Sequence, residues 1–325
     1  MNKQSRLAVS IDDHEISLAW VEHGRHLAYL EKFPSSQFST LTDALLAYER
    51  STRKPLLGAT CALAVLGVTY GETIMLSRGS WAISREGLRS LFGNDVIVIN
   101  NVAACAWAVI GGAGPRLEGI SSLAAAAPDF HHGGRWVLIN VNEGVGLAVI
   151  DTDRRGDIRV LECEMGHCGF VASTKEDDAL ARAFKAKGHK RISWEMVLTL
   201  SPDDPVWSAP GLPTTRSQRV AILARLIGSY ASDAVLAYGA WTGAVVTGKH
   251  ISKMMAESAQ PSFNAGFENK SKFGRLIRST PRWRLGGQDL MIAGCAIALD
   301  RLSPMTETEA AQEVPFIETV QRIAC

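Results

Sequence analysis

The sequence predicts an α/β protein with two domains, each built on a mixed β-sheet, and a cleft between them. A strand–turn–strand opening followed by alternating helices and strands occurs twice, beginning near Leu7 and again near Trp136. This alternation is typical of α/β layers, and a cleft between two such domains is a common ligand site. The length of 325 residues also favours two domains over one.

The predicted domains divide after a helix of small residues that stops at Gly111-Gly112. Because the strand pattern restarts beyond this stop, we predict a small α/β domain over 1–111 and a large α/β domain over 112–302. A C-terminal tail, 303–325, remains and could pack back on the small domain.

Periodicity and breaker residues predict the elements of the small domain. The predicted strands are Leu7–Ile11, Ser17–Val21, His26–Glu31, Ala62–Leu66, Thr73–Leu76 and Val96–Ile99. The predicted helices are Leu41–Tyr48, one from Ser84 to a C-cap at Phe92-Gly93, and Val102–Ile110.

The same signals predict the large domain. Its strands are Trp136–Val141, Leu147–Asp151 and Ala244–Thr247. Its helices are about Asp177–Lys187, Ser193–Leu200, Ser217–Tyr238, His250–Ser258 and Asp289–Leu302. The stretch Leu226–Val246 is apolar enough to span a membrane, but polar and glycine residues interrupt it, so a buried helix running into a strand fits better.

Composition excludes several classes of function. The hydrophobic fraction is 46%, the charged fraction 21% and the net charge +1, so electrostatics favours neither nucleic acid nor a membrane surface as a partner. Met1–Arg6 is polar and does not open a signal peptide, and the scattered cysteines are typical of free thiols, so we expect a cytoplasmic protein. Cys163 and Cys168 with one nearby histidine form a poor zinc pattern, so we predict no metal site.

Several segments resemble motifs of one enzyme family, and they occur in that family's order. They are Ser80-Trp81-Ala82-Ile83-Ser84, Val98-Ile99-Asn100-Asn101, Glu164-Met165-Gly166-His167, Ser193-Trp194-Glu195-Met196-Val197-Leu198 and Phe263-Asn264-Ala265-Gly266-Phe267-Glu268-Asn269-Lys270. Through them the chain resembles bacterial glucokinases of the actin-like sugar kinase superfamily, from about residue 5 to residue 300. The resemblance implies the two-domain actin-like, ribonuclease H-like sugar kinase fold, MgATP as phosphoryl donor, and a homodimer.

The resemblance also implies a hexose site formed by Asn100, Glu164, His167 and Glu195. Sugar hydroxyls both donate and accept hydrogen bonds, so carboxylates can accept from them while amide and imidazole groups donate back. Each residue also has a purely structural interpretation. Asn100 could be only a helix N-cap, Glu195 only a first-turn carboxylate, and His167 only a core histidine.

The catalytic base of the family pattern is missing. Family members carry an Asp that removes the proton from the sugar 6-hydroxyl, whereas the matching residue here is Asn101. An amide can orient a hydroxyl but cannot take its proton. The resemblance therefore implies weak or lost phosphotransfer.

The nucleotide-side elements of the family pattern are altered as well. The family loop Asp-x-Gly-Gly-Thr-Asn corresponds to the region Ser10–Ile16, where Asp12 could replace the metal-side Asp if the loop is shortened. The Gly-Thr-Gly-Leu-Gly loop corresponds to 142–146, which keeps Gly144 and Gly146 but places Glu143 where it would repel phosphate. The Ala-Gly-Gly-Ile segment corresponds to 247–250, which keeps Gly248 and adds Lys249, a residue that could crowd the nucleotide or contact its phosphates.

These observations leave three hypotheses. The favoured one is a degenerate glucokinase that binds glucose or a related hexose with little or no phosphotransfer, for example as a sensor or regulatory partner. The second is an active ATP-dependent glucokinase that makes glucose 6-phosphate with a relocated base or metal ligand, Asp12, Asp13 or Glu143. The third is a non-catalytic interaction protein on the same fold.

Overall fold

The computed structural model describes residues 5–22, 25–77, 81–112, 117–124, 127–256 and 259–302. The chain forms two compact units, which we call unit 1 (residues 1–113 and 288–325) and unit 2 (residues 114–287). The predicted tail, 303–325, lies outside the described residues.

Unit 1 is an α/β layer. Its strands are β1 (Arg6–Ile11), β2 (Glu15–Val21), β3 (Leu27–Pro34), β4 (Thr60–Val65), β5 (Thr73–Met75), β6 (Ala82–Ser84) and β7 (Ile97–Asn100). Its helices are α1 (Leu41–Thr52), α2 (Arg85–Phe92) and α3 (Asn101–Ile110). The main sheet has the order β3-β2-β1-β4-β7, in which β2 is antiparallel to β1 and β3 while β4 is parallel to β1 and β7.

Local sequence signals explain where the unit 1 elements begin and end. Thr40 and Asp43 form a reciprocal capping box at the start of α1. Ser84 caps the start of α2, and Gly93 ends it in the left-handed conformation, as the sequence predicts. Strands β1 and β4 are buried along nearly their whole length, which accounts for their continuous apolar runs.

Unit 2 is a second α/β layer. Its strands are β8 (Leu117–Gly119), β9 (Gly134–Val141), β10 (Val145–Thr152), β11 (Ile158–Cys163), β12 (Gly243–Thr247) and β13 (Arg282–Leu285). Its helices are α4 (Lys175–Ala186), α5 (Trp194–Leu198), α6 (Arg216–Tyr238), α7 (Lys249–Ala256), α8 (Gln260–Glu268) and α9 (Gly274–Arg278). The sheet has the order β11-β10-β9-β12-β13-β8.

The two sheets share one topology. In each, three successive strands form an antiparallel meander. A fourth strand pairs in parallel with the first strand of the meander, and a fifth pairs in parallel with the fourth. Strand β11 of unit 2 corresponds to β3 of unit 1, and β13 corresponds to β7. Unit 2 has one further strand, β8, which is antiparallel to β13. The first hairpin turn, between β1 and β2 or between β9 and β10, therefore has the same place in both sheets.

The last described helix, α10 (Leu290–Leu302), does not belong with the large domain, where the sequence analysis placed it. It packs on α3, β1 and β4 and is part of unit 1. A Cβ added to Gly294 would collide with the Ala104 carbonyl oxygen, so the two helices cross with their backbones nearly in contact. Small residues on both helices make this close crossing possible.

Helix α6 and strand β12 confirm the prediction of a helix running into a strand. Among the described residues, α6 is the helix that is long and apolar enough to cross a membrane by length and composition, yet most of its apolar window is buried inside the protein. It crosses α8 closely, because a Cβ on Gly228 would collide with the Phe263 carbonyl oxygen. The helix is thus a core element of unit 2.

Candidate functional site

Glu195 is held at the hairpin turn between β9 and β10. Ser193 caps the short helix α5, its Oγ accepting the N–H of Met196 at 3.3 Å. Glu195, the second residue of this helix, points toward the start of β10. Its Oε2 accepts a hydrogen bond from the backbone N–H of Val145 at 3.0 Å. Glu195 is therefore more than a first-turn carboxylate stabilised by the helix dipole, because its side chain also holds the hairpin turn in place.

Aromatic packing anchors α5 in this position. Trp194 is buried, and its ring lies edge-on to Phe170 at 5.1 Å and tilted against Tyr230 of α6 at 5.5 Å, as measured between ring centroids. Because adjacent residues on a helix point in different directions, burial of Trp194 leaves Glu195 partly exposed, with 29% of its side chain accessible.

A short 3-10 helix, Met165–His167, follows β11; Glu164 immediately precedes it and His167 is its last residue. Gly166 sets this helix against the sheet, since a Cβ there would collide with the Val145 carbonyl oxygen. His167 Nε2 lies 3.6 Å from Glu164 Oε2, and His167 Nδ1 lies 4.0 Å from Glu195 Oε1. The imidazole is 61% exposed, so His167 is not a core histidine.

Three of the four predicted sugar ligands thus meet within unit 2. We call Glu164, His167 and Glu195 the carboxylate–histidine cluster. It presents two carboxylates and one imidazole to solvent, a set that can accept from and donate to neighbouring hydroxyl groups. The cluster lies beside the hairpin turn, because a Cβ on Gly144 would be 3.0 Å from Glu195 Oε2.

The fourth predicted ligand, Asn100, lies in unit 1 and has a structural role there. Its Oδ1 accepts the N–H of Val102 at 2.8 Å and caps α3, and its Nδ2 donates to the Gly67 carbonyl oxygen at 3.1 Å. Capping does not by itself exhaust an amide, whose oxygen accepts two hydrogen bonds and whose nitrogen donates two. Asn101 follows as the first residue of α3 and is partly exposed.

The remaining part of the family motif around Trp81 is structural. Trp81 is buried in the core of unit 1, and Ser84 caps α2 through the N–H of Gly87 at 3.2 Å. Ser80 lies outside the described residues. The described residues Trp81 and Ser84 thus stabilise the scaffold of unit 1.

The first hairpin turn, in unit 1, is tight and acidic. Asp12 donates its N–H to the Glu15 carbonyl oxygen at 2.8 Å, and its Oδ1 accepts the N–H of Asp13 at 2.8 Å. None of residues 12–15 has a positive φ angle. A match to the six-residue family loop without a gap places Ser10, a buried residue of β1, at the Asp position, and Asp12 at the first glycine. Asp12 is exposed at the turn.

The second hairpin turn, in unit 2, retains glycine and contains an ion pair. Lys249 Nζ is paired with the Glu143 carboxylate. The backbone N–H of Lys249 donates to Asn142 Oδ1 at 2.7 Å, which ties the turn to the start of α7. Gly248 has a φ of +110°, and a Cβ there would collide with the Val141 carbonyl oxygen, so this position requires glycine.

The ion pair between Glu143 and Lys249 is not predicted by the sequence, which indicates only a repulsive charge at Glu143 and an obstacle or a phosphate contact at Lys249. The signal that could have revealed the pair is topological. Each residue lies two positions after the end of a strand, and the two strands, β9 and β12, are parallel neighbours whose carboxyl ends lie at the same edge of the sheet.

Within the described ranges, no group of three or more His, Cys, Asp or Glu side chains could hold a metal ion by itself. Asp12 therefore offers one carboxylate rather than a protein-built metal centre. A magnesium ion at such a position would take the remaining ligands from phosphates and water, as magnesium commonly does.

Comparisons with known proteins agree with this architecture. The sequence profile described as Glucokinase matches residues 13–200 and 211–302. The glucokinase of Nitrobacter hamburgensis is 23% identical over 286 residues, covering 81% of this chain and 87% of that protein. The Bifunctional protein glk of Burkholderia lata is 22% identical over 85% of this chain, but this chain spans only 46% of that relative's length.

Solved structures show the same fold. A glucokinase from an Antarctic psychrotroph has a TM-score of 0.75 at 21% identity, covering 92% of this chain and 99% of that one. A Balamuthia mandrillaris glucokinase in complex with glucose has a TM-score of 0.70 at 14% identity, covering 92% and 94%. The predicted actin-like sugar kinase fold is confirmed, and the profile match over most of the sequence shows that the chain belongs to the glucokinase family.

Proposed function

We propose that this protein binds glucose or a related hexose and that its ATP-dependent phosphotransfer is weak or lost. The observation that carries the binding proposal is the carboxylate–histidine cluster, three predicted sugar ligands linked by contacts within 4.0 Å beside a glycine turn. Asn100 is the fourth proposed ligand. A family member of the same fold has been solved in complex with glucose.

The chemistry of hexose recognition suits this set of side chains. Adjacent hydroxyls of a pyranose can donate to the carboxylates of Glu164 and Glu195 and exchange hydrogen bonds with the His167 ring. Hydrogen bonds to charged groups are worth about 1.5–3 kcal/mol each, so two carboxylates can supply much of the affinity. The tie between Glu195 and Val145 holds one carboxylate in place before the sugar arrives.

The weakness of phosphotransfer is proposed from Asn101. MgATP would supply the phosphoryl group, and Asp12, Gly144, Gly146 and Gly248 are the residues we propose to face it. Asn101 can accept a hydrogen bond from the attacking hydroxyl but cannot remove its proton. General-base catalysis contributes about 10²–10⁴-fold, so its loss raises the barrier by roughly 3–5 kcal/mol.

An active ATP-dependent glucokinase that forms glucose 6-phosphate is the second candidate. The Glu143–Lys249 pair favours it, because the paired lysine offsets the charge that would otherwise repel phosphate. A relocated base would then have to come from Asp12, Asp13 or Glu143. A non-catalytic interaction protein is the third candidate, and the homodimer implied by the family is part of all three.

Calorimetric titration with glucose tests the binding proposal. We expect a saturable, single-site isotherm for the full chain and a much weaker one for Glu164→Ala, with Glu176→Ala, an exposed residue of α4, as the matched control. Glucose should also raise the unfolding temperature, because a ligand specific for the native state stabilises it. A flat isotherm without thermal stabilisation would favour the interaction protein instead.

A further inference from the structure

Glu143 and Lys249 form an ion pair at the edge of the unit 2 sheet. The two residues are 106 positions apart in the sequence, yet each lies two positions after the end of a strand. These strands, β9 and β12, are parallel neighbours in which Asn140 lies opposite Thr247. Their side chains remain 35% and 50% exposed, so the pair faces solvent rather than the core.

Both members of the pair depart from the family pattern described above. Glu143 replaces a threonine of the phosphate loop, and Lys249 replaces a glycine of the adenosine-side segment. A single one of these changes would place an unbalanced charge at the turn. The two changes together place an anionic group against a cation at the position where the family pattern expects nucleotide.

We propose that Lys249 is a phosphate-binding residue of this chain and that Glu143 is its internal competitor. A polyphosphate arriving at the turn displaces the Glu143 carboxylate from Lys249 Nζ and takes its place. The inference rests on the proposed placement of nucleotide at this turn. Lys249 then contributes a phosphate-binding side chain to that site, and the Glu143 carboxylate occupies the same position when no phosphate is bound.

The energetics of a partly exposed pair allow this exchange. Exposed ion pairs are worth about 0.2–1 kcal/mol, so separating Lys249 from Glu143 costs little. A triphosphate carries more negative charge than one carboxylate and forms strong charge-assisted hydrogen bonds with an ammonium group. Burial, together with neighbouring Lys249 and Lys253, lowers the pKa of His250, so the lysines carry the positive charge at the start of α7 near pH 7.

Two roles of Lys249 make opposite predictions. If Glu143 competes for Lys249, removing Glu143 makes Lys249 more important for binding. If Lys249 only neutralises Glu143, removing Glu143 makes Lys249 less important. A double-mutant cycle on nucleotide affinity therefore separates competition from neutralisation.

The test is calorimetric titration of MgATP into the full chain and into Glu143→Gln, Lys249→Met and the double variant. Competition predicts that Glu143→Gln binds roughly 1.5- to 5-fold tighter than the wild type, and that Lys249→Met weakens binding more in the Glu143→Gln background than in the wild type. Asp203→Asn is the matched control, because it removes one carboxylate from another exposed pair of unit 2, Asp203–Arg216, and should leave the affinity unchanged.

Magnesium tripolyphosphate and adenosine identify which part of the nucleotide Lys249 recognises. The Lys249→Met effect should recur with tripolyphosphate and vanish with adenosine. A larger Lys249→Met effect in the presence of Glu143 than in its absence would overturn the proposal, as would equal affinities in all four proteins or no binding to any of them.

Glucose titrations on the same four proteins separate this inference from the proposed function. Glucose binding combined with a failed MgATP cycle would reject the role of Lys249 and leave the sugar site standing. A successful MgATP cycle without glucose binding would reject the sugar site and leave the role of Lys249 standing.

Discussion

The two units begin their sheets with the same hairpin, yet the turns of these hairpins carry different chemistry. In unit 1, Asp12, Asp13 and Glu15 crowd a tight turn, and Lys32 lies 3.4 Å from Glu15 while also pairing with Asp289. In unit 2, the turn keeps Gly144, pairs its carboxylate with Lys249, and accepts support from Glu195.

The two hairpin turns differ in charge and in the residues that lie near them. The turn of unit 2 is balanced in charge and adjoins the carboxylate–histidine cluster. The turn of unit 1 has excess negative charge and lies in the same unit as Asn101, which replaces the base. If the proposed function is correct, hexose binding depends mainly on unit 2 and a weakened phosphotransfer originates mainly in unit 1.

The largest expected effect is on turnover, when a carboxylate is restored at position 101 of unit 1. Asn101→Asp should raise glucose-dependent turnover about 100-fold or more, because general-base catalysis contributes about 10²–10⁴-fold. The rate is measured as ADP formation from MgATP under saturating glucose. The double variant Asn101→Asp with Glu164→Ala is the control for contaminating kinases. An unchanged rate would place the defect in the Asp12–Glu15 turn instead.

The next largest effect is expected in the cluster of unit 2. Glu195→Ala should weaken glucose binding by roughly 10- to 100-fold, the equivalent of one hydrogen bond to a charged group. It also removes the acceptor of the Val145 N–H. Calorimetry measures the affinity, with Glu176→Ala as the matched surface variant. Equal affinities for Glu195→Ala and Glu176→Ala would mean that the cluster is not the sugar site.

A backbone change in unit 2 should reduce both stability and binding. Gly166→Ala forces a methyl group toward the Val145 carbonyl oxygen and should cost about 1–3 kcal/mol of unfolding free energy. Because Gly166 lies between Glu164 and His167, glucose affinity should fall as well. Gly169→Ala, where a Cβ meets nothing within 4 Å, is the matched control. Denaturant unfolding that does not distinguish the two variants would refute the close packing.

The smallest effect concerns the pH dependence of unit 2 stability. Burial raises the pKa of Asp177, but the ion pair with Arg225 and hydrogen bonds from Ser173 outweigh it, so the pKa is lowered below 3.8. A lowered folded pKa adds stability that is present above pH 3.8 and is lost as pH falls through the folded value. Asp177→Asn should therefore be less stable near neutral pH and lose less stability on acidification, as measured by urea unfolding from neutral to strongly acidic pH. Parallel pH profiles for both proteins would contradict this role.

The strands that the sequence predicts and those it misses differ in burial. β1, β4 and β9 are buried apolar runs, which periodicity identifies readily. β11 is an edge strand whose residues are mostly exposed or partly exposed, and β13 contains two arginines in four residues, so neither has a clear apolar pattern. Helix α10 was predicted but assigned to the wrong domain, because sequence order does not reveal that Gly294 packs on Ala104.

The candidate site was predictable to the extent that its residues form local motifs. Glu164, His167 and Glu195 each lie in a recognisable segment, although their mutual distances depend on how β10, β11 and α5 pack. The N-cap role of Asn100 follows from its place between a strand and a helix. The Glu143–Lys249 pair depends on the parallel register of β9 and β12, which no local pattern contains.

The central claim is that hexose binding survives while phosphotransfer is weak or lost, and a coupled assay of glucose-dependent ADP formation from MgATP tests it most directly. Glu164→Ala protein, purified in the same way, measures contaminating kinase activity. We predict that the wild type shows no turnover above this control. Turnover at a rate ordinary for kinases, roughly 1–100 per second, would contradict the claim and identify the protein as a working glucokinase whose base is a carboxylate elsewhere in the chain.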